Sequence, residues 1–307
     1  MALHRLSSIT LGVPNLAETR SYYREFGLTE DDGGWFSGTD GGRQLHLTDA
    51  PFRRLVEVRI GVDDPDDLGR AAASLAALGV EAAAEEGGTL TATDPGTGVR
   101  AVLQVESRLV QPVVAATPYN GPGRLDRVGV RAPGVLREGP VRPRKLGHVV
   151  LGSTDFAATV AFFRDGVGFK ASDHVKDAAA FLRCSTDHHN LLVMRSPVVF
   201  PHHSSWQVDD IDEIGRGAQR MLEDHPERHV WGLGRHHAGS NFFWYLRDPS
   251  GMFSEYYSDM DTIPEDQPWT PETFEGARGL FNWGPPPPPS FLNPEDLAAL
   301  MTNSHTP

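Results

Sequence analysis

Leu11-Gly12-Val13-Pro14-Asn15-Leu16-Ala17-Glu18-Thr19 is echoed at an offset of 140 by Leu151-Gly152-Ser153-Thr154-Asp155-Phe156-Ala157-Ala158-Thr159. The echo continues: Tyr22-Tyr23-Arg24-Glu25 matches Phe162-Phe163-Arg164-Asp165, and after one inserted residue Phe26-Gly27-Leu28 matches Val167-Gly168-Phe169. A second pair is Gly61-Val62-Asp63-Asp64-Pro65-Asp66-Asp67-Leu68 against Gln207-Val208-Asp209-Asp210-Ile211-Asp212-Glu213-Ile214. The third is Asp94-Pro95-Gly96 against Asp248-Pro249-Ser250-Gly251. Matches in the same order along both halves mark a duplicated chain.

Each half divides again. Gly147 to Leu151 is an apolar run that predicts a strand, and Asp155 caps a helix whose apolar positions are Phe156, Val160 and Phe163. Ala178–Leu182 and Leu191–Met194 predict strands. The order then restarts with a strand over His203–Val208 and a helix from Asp210 with Ile211, Ile214, Ala218 and Met221 on one face. Strands at Phe242–Leu246 and Met252–Tyr257 complete the unit. Strand–helix–strands therefore occurs twice per half and four times in all, an α+β chain. Tyr119–Gly123 and the Arg- and Pro-rich Arg131–Arg144 read as linker. The expected division is 1–140, 141–262, and a Pro-rich tail, 263–307. In that tail Pro285–Pro289 favours polyproline II, and Asn293-Pro294 predicts the start of a short helix, Glu295–Met301. Phe281, Trp283 and Phe291 suggest that it packs on the body, over a pocket mouth or a subunit contact.

Of 307 residues 39% are hydrophobic, enough for a buried core, and no apolar run reaches the roughly 18–20 residues of a membrane span. The N-terminal residues have no apolar h-region, and the one cysteine, Cys184, forbids an internal disulfide. The expectation is a cytoplasmic protein without a membrane partner. A formal charge of −13 argues against nucleic acid, and no Gly-rich phosphate loop follows a strand.

Thirteen histidines occur, and only His4 and His46 precede His148. Their crowding suggests a site in the second half. His148 lies on the opening strand of the third unit, His203 on that of the fourth, and Glu255 on the final strand. Alternation places His148 with Val150, His203 with Ser205 and Gln207, and Glu255 with Phe253 and Tyr257. Alone, each is an ordinary strand residue. Together, at repeat-equivalent edges, two imidazoles and one carboxylate form the facial triad of non-heme Fe(II) oxygenases, which leaves open coordination positions.

The stretches Arg144–Gly152, Cys184-Ser185-Thr186-Asp187-His188-His189, His202-His203-Ser204-Ser205-Trp206, Gly234-Arg235-His236 and Tyr245–Gly251 through Glu255 resemble the type I extradiol catechol dioxygenases of the vicinal oxygen chelate superfamily. The likeness runs from about residue 4 to 283 and is dense after 140. It implies four βαβββ modules in two tandem vicinal oxygen chelate domains, with the metal in the second domain alone. That metal is usually Fe(II), in some members Mn(II). His148, His203 and Glu255 match its ligands. His189 matches the distal histidine that hydrogen-bonds the activated oxygen and serves as acid–base group. His236 and Tyr245 match groups on the catecholic oxygen side. His188, His202 and His237 are the neighbours that compete for these roles, and the register to Val208 favours His203 over His202. The chain departs from the family at Ala238, where a small polar residue is common. The partners implied are a catechol, O₂ and further copies of the chain in a homo-oligomer.

The first half keeps the scaffold without the ligands. The repeat offsets map His148 to Ser8 and His203 to Glu57, and the strand after Asp94-Pro95-Gly96 carries Ala101 and Val102 where a carboxylate is needed. Rival readings are a glyoxalase-like isomerase or thiol transferase, and a metal-free binder of aromatic compounds. Sites of the first kind draw ligands from paired domains, and the second has no use for a ligand set. Trp206, Trp231, Trp244 and Phe253 are candidates either for the pocket or for the core.

Overall fold

The computed structural model describes residues 3–85 and 87–305; the side chains of residues 277 and 278 are left aside, and the tail's last two positions lie outside the described residues. Eight strands between Leu3 and Val105 form one sheet, and nine between Leu146 and Phe274 form a second. Numbered within its own half, the first sheet runs 2-3-4-1-5-8-7-6 and the second 9-2-3-4-1-5-8-7-6. The duplication read from sequence is thus a duplication of topology. In each module the opening strand pairs parallel with the closing one, as Leu146–Ser153 does with Leu191–Arg195 and Phe200–Gln207 with Phe253–Ser258. The two modules of a half join antiparallel through their opening strands, Phe200–Gln207 against Leu146–Ser153. That gives the four βαβββ modules.

One local difference between the halves has a clear cause. The helix Leu16–Glu25 runs unbroken into Phe26, whereas its counterpart Phe156–Ala161 continues as a π-helical turn, Phe162–Val167. The extra residue found by sequence comparison is absorbed as that wider turn. Both copies stop at a left-handed glycine, Gly27 at φ 104° and Gly168 at φ 103°.

The halves pack through Leu16–Glu25 and the strand Phe253–Ser258. The Phe26 and Tyr256 rings stack at 3.9 Å, and the Tyr256 hydroxyl donates to the Phe26 carbonyl at 2.7 Å. Tyr22 bonds to Ser254. Ser254 and Tyr256 therefore face the first half, so alternation turns Phe253, Glu255 and Tyr257 to the other side of the strand.

The tail differs in part from its sequence reading. Its strand Glu272–Phe274 adds in parallel to Lys170–Val175 as the ninth strand. Pro288 holds polyproline II angles (φ −67°, ψ 152°), but Pro289 opens a helical turn, Pro289–Leu292, that ends at Asn293. Asn293 is therefore not the cap of the next helix. That helix is Leu297–Met301, preceded by Asp296. Asp296 is held by the buried Arg53 of the first half at 2.6 Å, which fixes where the chain turns. Leu300 packs with Val198 and Phe200.

Candidate metal centre

Register builds the centre. Across three neighbouring strands His148 pairs with Ser205 and Ser205 with Glu255; His203 lies two residues along the central strand, on the same face. Nε2 of His148 is 3.3 Å from Nε2 of His203 and 3.2 Å from Oε2 of Glu255, and Nε2 of His203 is 3.7 Å from that oxygen. Metal bonds of about 2.1 Å meeting near right angles set ligand atoms about 3 Å apart, so the three donors fit one ion. The fit is also electrostatic. Glu255 is fully buried, and among the described residues its Oε2 has no hydrogen-bond partner. Its Oε1 accepts from Asn241 at 3.2 Å.

Burial pushes the Glu255 carboxyl upward, but the close imidazoles, His148 first, outweigh it and hold the group well below the usual carboxylate range. Burial, reinforced by neighbouring His202, pushes His203 well below the ordinary imidazole value. An ionised carboxylate and a neutral ring are the forms that ligate. The first half has the same register with other residues. Ser8, Arg59 and Val102 stand opposite one another, and Glu57 takes the His203 place, tied to Arg59 and Arg100.

His189 sits beside the three donors, its ring 4.2 Å from that of His148 and against Phe181 at 5.1 Å. Burial is the main cause holding it well below the ordinary histidine value. On the other flank Tyr245 lies 5.0 Å from the His203 ring. Nδ1 of His236 donates to the Leu280 carbonyl, which leaves Nε2 to accept from the Tyr245 hydroxyl at 2.8 Å. Burial first, then the Glu255 charge, raises Tyr245 well above the usual phenol value, so it stays a neutral hydroxyl.

His148, His203, His189, His236 and Tyr245 open on a cavity of about 450 Å³ that Val150, Phe181, Leu192, Ala238, Leu280 and Phe291 also line, together with the polar His202 and Arg195. None of Trp206, Trp231, Trp244 and Phe253 lines it. Trp206 follows the inward-facing Ser205 and so points into the opposite core, where Trp244 also packs. Phe253 is covered by the parallel ring of Phe291 at 5.9 Å, and Trp231 stacks behind Tyr245 at 5.7 Å. The sequence reading puts the tail aromatics over a pocket mouth or a subunit contact, without assigning Leu280 or Phe291 to a pocket wall. It also read His202 and His188 as competitors, whereas each is bonded to a site histidine. His202 Nδ1 lies 2.6 Å from Nδ1 of His203, and its Nε2 lies 2.6 Å from the Phe291 carbonyl. The doubled histidines were the available signal. His237 instead packs on Phe274.

Residues 145–256 match the model of the glyoxalase/bleomycin resistance protein/dioxygenase superfamily. The chain is 30% identical to metapyrocatechase 2 of Cupriavidus necator, covering 95% of this chain and 92% of that protein. It is 29% identical to an iron-dependent extradiol dioxygenase of Rhodococcus jostii over 40% of this chain and 46% of that protein. Two solved structures share the fold. One is the Mn(II)-bound glyoxalase from Novosphingobium aromaticivorans (TM-score 0.73, 24% identity, 100% of this chain, 95% of that one). The other is a variant of homoprotocatechuate 2,3-dioxygenase from B. fuscum (TM-score 0.73, 20% identity, 94% of this chain, 81% of that one). The chain belongs to the glyoxalase/bleomycin resistance protein/dioxygenase superfamily, among its extradiol dioxygenases. It is by that membership an oxidoreductase. No described helix is long and apolar enough to cross a membrane.

Proposed function

We propose that the chain cleaves a catechol beside its two hydroxyls with O₂, at Fe(II) held by His148, His203 and Glu255. Mn(II) accepts the same donors. The observation that carries the reading is the convergence of three donor atoms, two of them from histidines that line a largely apolar cavity. Bound there, the metal supplies a Lewis-acidic, redox-active centre with open positions for both hydroxyl oxygens and O₂. The protein supplies the rest. The apolar part of the wall takes the ring. His189 takes and returns a proton at its Nε2, and acid–base help of this kind contributes roughly 10²–10⁴-fold. Tyr245, kept neutral and braced by His236, hydrogen-bonds the catecholic oxygen side. The division into a metal-free first domain (1–140), a catalytic domain (141–262) and a tail (263–307) belongs to the same proposal, as do a homo-oligomeric state and a cytoplasmic setting.

The test is metal analysis with product identification. His148→Ala, His203→Ala and Glu255→Ala each lose bound iron and activity while remaining folded. Ser8→Ala and Glu57→Gln retain both. The expected product is a ring-opened yellow semialdehyde or keto acid, formed with uptake of O₂. A cis,cis-muconate product, turnover without O₂, or an empty site in Glu57→Gln would each overturn the reading.

A further inference from the structure

Behind His189 lie two buried groups that the reaction described above does not use. His188 is fully buried and Asp173 is 5% exposed. Nε2 of His188 lies 2.9 Å from Oδ2 of Asp173, and Nδ1 of His188 lies 3.1 Å from Nδ1 of His189. The second oxygen of Asp173, Oδ1, accepts the Glu272 backbone N–H at 2.8 Å. A continuous chain of contacts thus runs from the tail strand through Asp173 and His188 to the cavity.

With His188 carrying a single proton, the direction of the protons along it follows from chemistry. A carboxylate only accepts, so the His188 proton sits on Nε2. A neutral imidazole carries one proton, so Nδ1 of His188 accepts, and the proton of the second contact belongs to Nδ1 of His189. The other nitrogen of His189, Nε2, then keeps its lone pair. We infer that Asp173 and His188 are positioning residues that hold His189 in its Nδ1–H tautomer, presenting a bare Nε2 to the cavity. Resting on the function proposed above, this makes His189 ready to receive the proton of an arriving catechol hydroxyl. A ring in the opposite tautomer meets that hydroxyl donor to donor.

Asparagine at 173 inverts the chain with almost no change of shape. The Glu272 N–H is a donor in every state, so it claims the amide oxygen and turns the amide NH₂ toward His188. Two donors cannot face each other, so the His188 proton moves to Nδ1 and His189 is left protonated on Nε2. In Asp173→Asn we expect bound iron and KM to stay near wild type while kcat falls about 10²-fold or more, the scale of one acid–base group. Nitrogen-15 NMR of metal-free protein labelled at its histidine rings, assigned with His189→Phe, reads the tautomer directly. Wild type shows an unprotonated Nε2 on His189, and Asp173→Asn shows a protonated one. A wild-type His189 protonated on Nε2, which is also the result if His188 carries two protons, overturns the inference without any variant having to fold. So does a folded Asp173→Asn whose tautomer and kcat are unchanged. The expected tautomers in a chain that cleaves no catechol uphold the positioning and overturn the functional reading instead.

Discussion

His202 shows how much a single side chain next to a site can decide. Its Nε2 donates to the Phe291 carbonyl, so its Nδ1 accepts from Nδ1 of His203, and Nε2 of His203 is freed toward Glu255. Burial, opposed by the Phe291 carbonyl, pushes His202 down to about 4, which keeps it neutral in that role near neutral pH. Partners of this kind orient ligands, and removing one costs roughly 10–100-fold in metal affinity. His202→Phe fills the space among Phe200, Phe253 and Phe291 and is expected to raise the metal dissociation constant by about that factor, measured by chelator competition. An unchanged constant would show that strand packing alone orients His203. The convergence of His148, His203 and Glu255 was legible because strand alternation needs only the sequence. The relays through His188 and His202 were not, because their partners, Asp173 and the Phe291 carbonyl, are 15 and 89 residues away and follow no repeat.

Among the elements, the helix Ile211–Leu222 has the most legible start. Asp210 accepts the Glu213 N–H at 3.1 Å, as its place before the apolar face predicts. The sequence gives no sign that Arg137, in the stretch read as linker, also clamps both oxygens at 2.8 and 2.6 Å. Burial pushes Asp210 up, but the Arg137 hydrogen bonds outweigh it and bring the carboxyl from 3.8 down to about 2. A carboxyl with a depressed folded value stabilises above its unfolded value and loses that contribution as pH falls through the folded one. Asp210→Asn is therefore expected to cost about 1–2 kcal/mol at pH 6–8 by urea unfolding. The difference from wild type shrinks as the pH drops from about 4 toward 2. A pH-independent difference would assign the effect to helix capping alone. The tail helices show the opposite case: Asn293-Pro294 is a sound local signal, overridden because Arg53 holds Asp296.

Over the whole molecule, duplication gives the order of strands but not the way the two copies meet. The stack of Phe26 on Tyr256 joins helix to strand across 230 residues, and one continuous apolar core runs through both halves. Phe26 is fully buried beside Tyr22 and Tyr23. Phe26→Ala is expected to destabilise the chain by roughly 3–5 kcal/mol. Fluorescence and circular dichroism should still show one shared transition. Two separated transitions would mean that the halves fold independently.

The Oε2 of Glu255, without a hydrogen-bond partner among the described residues, bears on how the protein responds to its surroundings. His148, His203 and Glu255 come together only in the folded chain, so an ion that meets all three binds the folded chain far better than the unfolded one. Stability then becomes a function of supply: at a hundred times the dissociation constant, free metal adds about 2.7 kcal/mol. The first half, where Arg59 and Arg100 already neutralise Glu57, gains nothing locally. On the proposed reading, a scarcity of iron lowers the stability of the whole chain through the core its halves share, and the newly made chain that fails to find its ion is the one that proteases meet.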